Sequence, residues 1–169
     1  MKKLSLLLLA LVFTTTLWAE EKEGTLTKIG QAAPDITVTT LEGKTFKLSD
    51  MKGKVVFINF FATWCGPCMK ELPELNKQVW PRFKDKKFTM VSIGRQHSRT
   101  ELKKFKSEKA FSFPMAADPD RVAYGKYAEK YIPRNYIIDK EGNIIFQGTG
   151  FSQKELDGMI EIIEKAIKE

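Results

Sequence analysis

The chain predicts a single α/β domain in which a mixed β-sheet carries helices on both faces. Three observations lead there. Two short apolar runs, VVFINFF (Val55 to Phe61) and FTMVSIG (Phe88 to Gly94), have the length and the β-branched and aromatic content of buried central strands. Stretches carrying helix-start signals follow each of them. Hairpin patterns stand near both ends of the remaining chain. The sequence shows no internal repeat, no low-complexity tract and no second core pattern, and 169 residues suffice for one well-buried domain.

The first residues are set aside before any fold argument. Lys2 and Lys3 precede an apolar run from Leu4 to Phe13, and the small residue Ala19 stands ahead of an acidic stretch. This is the order of a signal peptide over residues 1–19. The run falls short of the roughly 20 apolar residues that span a bilayer, which favours a cleaved leader over an N-terminal anchor. No cysteine lies near the cut, so a lipoprotein anchor is excluded. A polar leader over 20–29 and the domain over 30–169 complete the expected organisation, in a periplasmic or other extracytoplasmic location. The formal charge of +7 loses two units with Lys2 and Lys3. The remaining cations alternate with acids, as in KSEK and EIIEKAIKE, which reads as a solvated surface and not as a nucleic-acid site.

The elements follow in order. In PDITVTTLEGKTFKLSD, Ile36 and Val38 alternate with polar residues, Glu42-Gly43 turn the chain and Thr45 to Leu48 return it, a hairpin. After the first central strand a helix is expected over about 67–79, with Pro67 in its first turn and Pro73 bending it. The second central strand leads to Ser98 and Glu101, whose spacing is that of a capping box, and a helix through Lys109. FSFPMAADPD reads as a loop and residues 122–130 as a further helix. NYIIDKEGNIIFQGTG is a hairpin around Glu141-Gly142-Asn143. Ser152 and Glu155 repeat the capping spacing, and Leu156, Met159, Ile160, Ile163 and Ile167 give the last helix one apolar stripe.

Chemistry is concentrated in FFATWCGPCMKEL, which holds the chain's two cysteines, Cys65 and Cys68. A structural disulfide across so short a loop removes little entropy from the unfolded chain. A structural zinc needs four ligands, and His97 is the only histidine, about thirty residues away in a charged loop. His97 is expected to be an ordinary loop residue. Covalent haem needs a histidine where Met69 stands. The pattern that surrounds a peroxidatic cysteine is absent, with Ala62 and Ile58 at its threonine and proline positions. Thiol–disulfide exchange remains, and with it no metal and no cofactor beyond the dithiol. Cys65 follows a buried strand and begins a helix, where free backbone N–H groups and the helix dipole favour an anion and lower a thiol below its free value of about 8.5. Cys65 is thus the attacking sulfur and Cys68, one turn on, the resolving one. Trp64 and Pro67 wall the exposed sulfur.

Trp64-Cys65-Gly66-Pro67-Cys68 after a hydrophobic strand, with Ile132-Pro133 ahead of another strand, resembles the thioredoxin superfamily. The preceding hairpin and the leader make it similar to the exported TlpA/ResA-like group, from about residue 30 to the C-terminus. The resemblance implies a thioredoxin-like fold with an added N-terminal β-hairpin. It implies that Pro133 is a cis-proline facing the site, and that Gly66, Ile132 and Pro133 help bind an extended substrate chain. Glu71 matches an acidic position of ResA-like proteins, from which it could exchange protons with Cys68. Asn59 stands where cytoplasmic thioredoxins carry a buried aspartate. Arg134-Asn135 replace small hydroxyl residues after the cis-proline, and Arg134 is expected to hold a guanidinium near the sulfurs. The implied activity is reduction of disulfides in exported proteins, apocytochrome c among them, with electrons from a membrane thiol donor of the DsbD or CcdA kind. A peroxiredoxin-like peroxidase and a non-catalytic thioredoxin-fold binding module are the alternatives.

Overall fold

A computed structural model describes residues 23–169; the signal segment 1–19 lies outside the described residues. A five-stranded sheet runs in the order β5-β4-β3-β6-β7. β3 (Val55–Phe61), β4 (Phe88–Arg95) and β5 (Met115–Asp118) are mutually parallel, β6 (Arg134–Ile138) runs antiparallel to β3, and β7 (Ile144–Thr149) runs antiparallel to β6. A separate hairpin pairs β1 (Thr37–Thr39) with β2 (Thr45–Lys47). The apolar run of β3 is explained by its central place: all seven of its residues are buried.

Alternation along β3 divides the core. Val55, Phe57 and Phe61 face a cluster shared with α1 (Gly66–Glu74), α3 (Arg99–Lys109) and α4 (Gln153–Lys168), while Val56, Ile58 and Phe60 face Tyr124, Tyr127, Tyr136 and the β1–β2 hairpin. α1 and α3 are crossovers between neighbouring parallel strands that advance in one direction across the sheet. Right-handed connections of that kind place both helices on one face.

Two expectations are corrected. The stretch 115–118, read as loop, is strand β5. Its flanking prolines do no harm, because β5 is the sheet's edge and Pro114 contributes only its carbonyl, to the Ser92 N–H. The helix expected over 122–130 is only a 3₁₀ turn, Tyr124–Lys126. Asp118 accepts the N–H groups of Ala123 and Tyr124, Arg121 turns into the left-handed region at φ 60°, and Tyr124 and Tyr127 are drawn wholly into the core. Tertiary anchoring of the two tyrosines wins over local helical preference.

Elsewhere local chemistry holds. Gly43 (φ 89°) turns the first hairpin and Gly142 (φ 98°) the second. The capping box at Ser98 is complete, with the Ser98 hydroxyl accepting the Glu101 N–H and the Glu101 carboxylate accepting the Ser98 N–H. At α4 the Ser152 hydroxyl accepts the Glu155 N–H. The polar stretch before residue 30 is docked on the domain from residue 23 onward: Leu26 N–H donates to the Tyr127 carbonyl, and buried Thr27 donates its hydroxyl to Gln147.

Candidate active site

β3 delivers the dithiol to the carboxyl end of the sheet, the edge where open α/β sheets present their ligands. Cys65 is the N-cap of α1, with extended backbone at φ −90° and ψ 110°, and its Sγ accepts the Cys68 N–H at 3.2 Å. Gly66 and Pro67 form the first turn, where proline's missing donor costs no helical bond. The two cysteines are joined in a disulfide. Cys65 is 6% exposed and Cys68 fully buried, so an incoming sulfur reaches only the first. Trp64 stands open beside it at 61% exposure. Around Gly66, space is open on every side of a hypothetical Cβ.

The α1 helix ends sooner than expected. Pro73 lies inside it, and at Leu75–Val79 the backbone widens into a π turn before α2 (Trp80–Phe83). The apolar positions Leu72, Leu75, Val79 and Phe83 stay in the core through the change of pitch.

Antiparallel pairing brings the other wall. Phe60 is in register with Arg134, which sets the start of β6 beside the end of β3. The Ile132–Pro133 peptide bond is cis, Pro133 is buried, and the Ile132 carbonyl oxygen lies 3.6 Å from Cys65 Sγ. Trp64, Gly66, Pro67, Ile132 and Pro133 therefore frame one sulfur.

Beneath it lies a sealed polar cell. Cys68, Glu71 and Leu72 form the buried face of α1. The Glu71 carboxyl accepts Asn59 Nδ2 at 2.8 Å and Asn135 Nδ2 at 2.5 Å, and Asn59 Nδ2 also donates to Asn135 Oδ1 at 2.9 Å. Burial pushes the Glu71 carboxyl up to about 8, against the two amide donors, which favour the anion, and with a smaller upward push from Glu155. Asn59 Oδ1 is buried without a partner.

Arg134 departs from expectation. It is 2% exposed, and its guanidinium donates to the carbonyls of Lys130 (2.9 Å) and Glu23 (3.0 Å) and to the Thr25 hydroxyl (2.5 Å). All three acceptors belong to the strap before residue 30 or to the loop ahead of Ile132. Arg134 is a buried clamp on that strap, and its hydrogen bonds do not run to the dithiol or to an open substrate face.

Two residues carry more than the sequence reading gave them. His97 is 7% exposed, and its Nε2 accepts the Thr63 N–H at 3.0 Å, fixing the backbone two residues ahead of Cys65. Burial lowers its pKa, against a weaker raising influence from Glu101. Asn135 completes the Glu71 cell. The signal for Asn135 was available, since an asparagine within the apolar run NYIID must find a buried partner. For His97 no local pattern marks a contact made across 34 residues.

The AhpC/TSA family profile matches residues 29–147, most of the chain. The chain belongs to the AhpC/TSA family of the thioredoxin fold. Within that family it is 37% identical over 137 residues to the thiol-disulfide oxidoreductase ResA of Bacillus thuringiensis (strain Al Hakam), covering 80% of this chain and 79% of the relative. It is 31% identical over 156 residues to ResA of Geobacillus thermodenitrificans (strain NG80-2), covering 92% and 89%. Among solved structures, a putative protein disulfide isomerase from Bacteroides thetaiotaomicron superposes with a TM-score of 0.83 at 34% identity, covering 86% of this chain and 94% of that one. A putative thiol:disulfide interchange protein DsbE from Chlorobium tepidum gives 0.72 at 30% identity, with 83% and 98% covered. With its Cys65–Cys68 pair, this AhpC/TSA-family chain is a thiol-disulfide oxidoreductase.

Proposed function

We propose that the chain is an exported reductant of protein disulfides that works without a metal or bound cofactor. The observation that carries the mechanism is the unequal exposure of the two sulfurs, with a raised carboxyl on the buried side. In the reduced protein the Cys65 thiolate, favoured by the Cys68 N–H and the N-terminus of α1, attacks a client disulfide. The Cys65–client S–S bond forms, the client's own S–S bond breaks, and one client thiolate leaves. The Glu71 carboxylate takes the Cys68 proton, and the Cys68 thiolate attacks Cys65 Sγ. That closes the Cys65–Cys68 disulfide and expels the second client sulfur, which is protonated. The client gains two electrons and the chain loses two; the Cys68 proton passes by way of Glu71 to the second client sulfur, and the first client thiolate takes its proton from solvent.

Burial, by raising Glu71 to about 8, makes its carboxylate a far stronger base than an ordinary one and so suits it to take the Cys68 proton. The unpartnered Asn59 Oδ1 supports this role, because a half-turn of that amide offers an acceptor when Glu71 carries the proton.

Ile132 and Pro133 supply the wall along which an extended client chain lies, between the cis bond and Trp64. Export rests on the Lys2-Lys3, apolar run and Ala19 pattern, and implies regeneration by a membrane thiol donor of the DsbD or CcdA kind. Disulfide-containing exported proteins are the clients, apocytochrome c among them. The test is capture from the native envelope by the Cys68→Ala variant, which is expected to hold clients as mixed disulfides on Cys65. Recovery of none overturns the client assignment. A reduction potential well above about −180 mV overturns the reductant direction.

A further inference from the structure

Beside the dithiol, two arginines converge on one aromatic ring without meeting a carboxylate. Arg95 ends β4 at the carboxyl edge of the sheet, in register with Asp118. Its guanidinium carbon lies 5.5 Å from the Trp64 ring and 4.8 Å from the Tyr124 ring. Arg121 stands 5.1 Å from the same Tyr124 ring and gives one N–H to the Glu129 carbonyl. The Nε atoms of both arginines are buried without a partner, and among the described residues the Arg95 side chain makes no hydrogen bond and no ion pair. Asp118, the nearest acid in register, accepts the N–H groups of Ala123 and Tyr124 with its two oxygens. The Tyr124 hydroxyl donates to the Tyr131 carbonyl, one residue before Ile132. The row Trp64, Arg95, Tyr124 thus runs from the residue preceding Cys65 to the loop that carries the cis-proline.

We propose that Arg95, with Arg121 behind it, receives an acidic side chain of the client next to the disulfide that Cys65 attacks. Three features favour a carboxylate over other groups. A guanidinium packed against two aromatic rings keeps its fork of donors in place, so little freedom is lost when a planar carboxylate meets it. The aromatic faces exclude water from one side of the contact, which strengthens it. The terminal N–H groups of the half-buried Arg95 side chain have no partner among the described residues and favour any ligand that completes them. The inference deepens the client assignment above and rests on it.

The test uses three cyclic disulfide peptides, identical except for Glu, Gln or Lys beside one cysteine. Rates of reduction by the reduced protein are normalised to rates with a small neutral dithiol, which removes any intrinsic effect of the neighbouring charge on the disulfide. The ratio between peptides also cancels any change in Cys65 itself, since every peptide meets the same thiolate. Wild type is expected to reduce the Glu peptide roughly tenfold faster than the Gln peptide, the size of one charge-assisted contact, with Lys slowest. The preference should shrink as salt rises from ~10 mM to ~0.5 M. Arg95→Gln brings the ratio close to one, Arg95→Lys keeps part of it, and Arg121→Gln lowers it by a smaller factor. Equal Glu and Gln rates in wild type overturn the proposal, and so does an unchanged ratio in both glutamine variants. Failure to reduce any of the three peptides instead overturns the reductase reading, and this inference with it.

Discussion

At the mouth of α1, Trp64 and Gly66 stand open and Cys65 keeps a sliver of contact with solvent. One turn inward, Cys68 and Glu71 are sealed, and the groups that touch the Glu71 carboxyl are two amides. The outer end is built from residues that restrict little: an exposed indole, a glycine with empty space around it, and a proline whose missing N–H costs nothing there. The inner end is built from side chains that hold one another by hydrogen bonds, Glu71, Asn59 and Asn135. In the mechanism proposed above, selection of a partner and nucleophilic attack fall to the outer end and proton handling to the inner.

Substitutions can break this division, and the largest effect is expected at the entrance itself. Cys65→Ser should abolish disulfide reduction, while Cys68→Ala should keep the first attack and stall with the client attached; mass spectrometry of the adducts separates the two. Next comes Glu71→Gln, expected to slow resolution by about 10²-fold, the usual worth of a positioned acid–base group, and to remove a titration near pH 8 from the rate profile. Single-turnover kinetics against pH would show this, and an unchanged profile would return Glu71 to a structural role.

The same residue shapes stability. Because the folded value of Glu71 lies above its ordinary 4.5, the folded chain binds that proton more tightly than the unfolded chain does. This stabilisation is complete below about pH 4.5 and is lost as pH rises through about 8, so denaturation midpoints of wild type should fall over that window while those of Glu71→Gln do not follow. His97 works in the opposite sense. Its folded value is lowered, so the stability it contributes is present above its ordinary 6.5 and is lost as pH falls.

His97→Ala should cost about 1–2 kcal/mol by orphaning the Thr63 N–H, seen as a fall of a few degrees in the melting temperature. The smallest effect is expected at Gly66→Ala, within about 0.5 kcal/mol, since nothing crowds the new methyl group. A large loss there would show that the entrance is more constrained than its open space implies.

Local pattern carried the sequence reading where local chemistry decides. The period-2 and apolar runs located β3, β4 and both hairpins, and the spacing of Ser98 and Glu101 located α3. The dithiol was legible because a short motif marks it, and the proline wall through the resemblance to the thioredoxin superfamily. What stayed hidden depends on distant partners. Residues 122–130 look helical until Tyr124 and Tyr127 are seen to be fixed in the core by hydroxyl bonds to Tyr131 and Pro34. Arg134 looks like a reagent beside the sulfurs until its acceptors are found 109 and 111 positions earlier in the chain. A side chain's direction within a strand is fixed by pairing, and pairing is what one sequence states least directly.

The strap itself has a consequence for how the N-terminus can be handled. Arg134 follows the cis-proline directly and holds its positive charge against neutral oxygens from Glu23 and Thr25. Deleting the chain up to Leu26 would strand a buried cation immediately behind the cis-proline loop, a defect on the order of 3–5 kcal/mol by analogy with breaking a buried ion pair. Trimming at that point is therefore surgery on the catalytic pocket, carried out from the opposite end of the sequence.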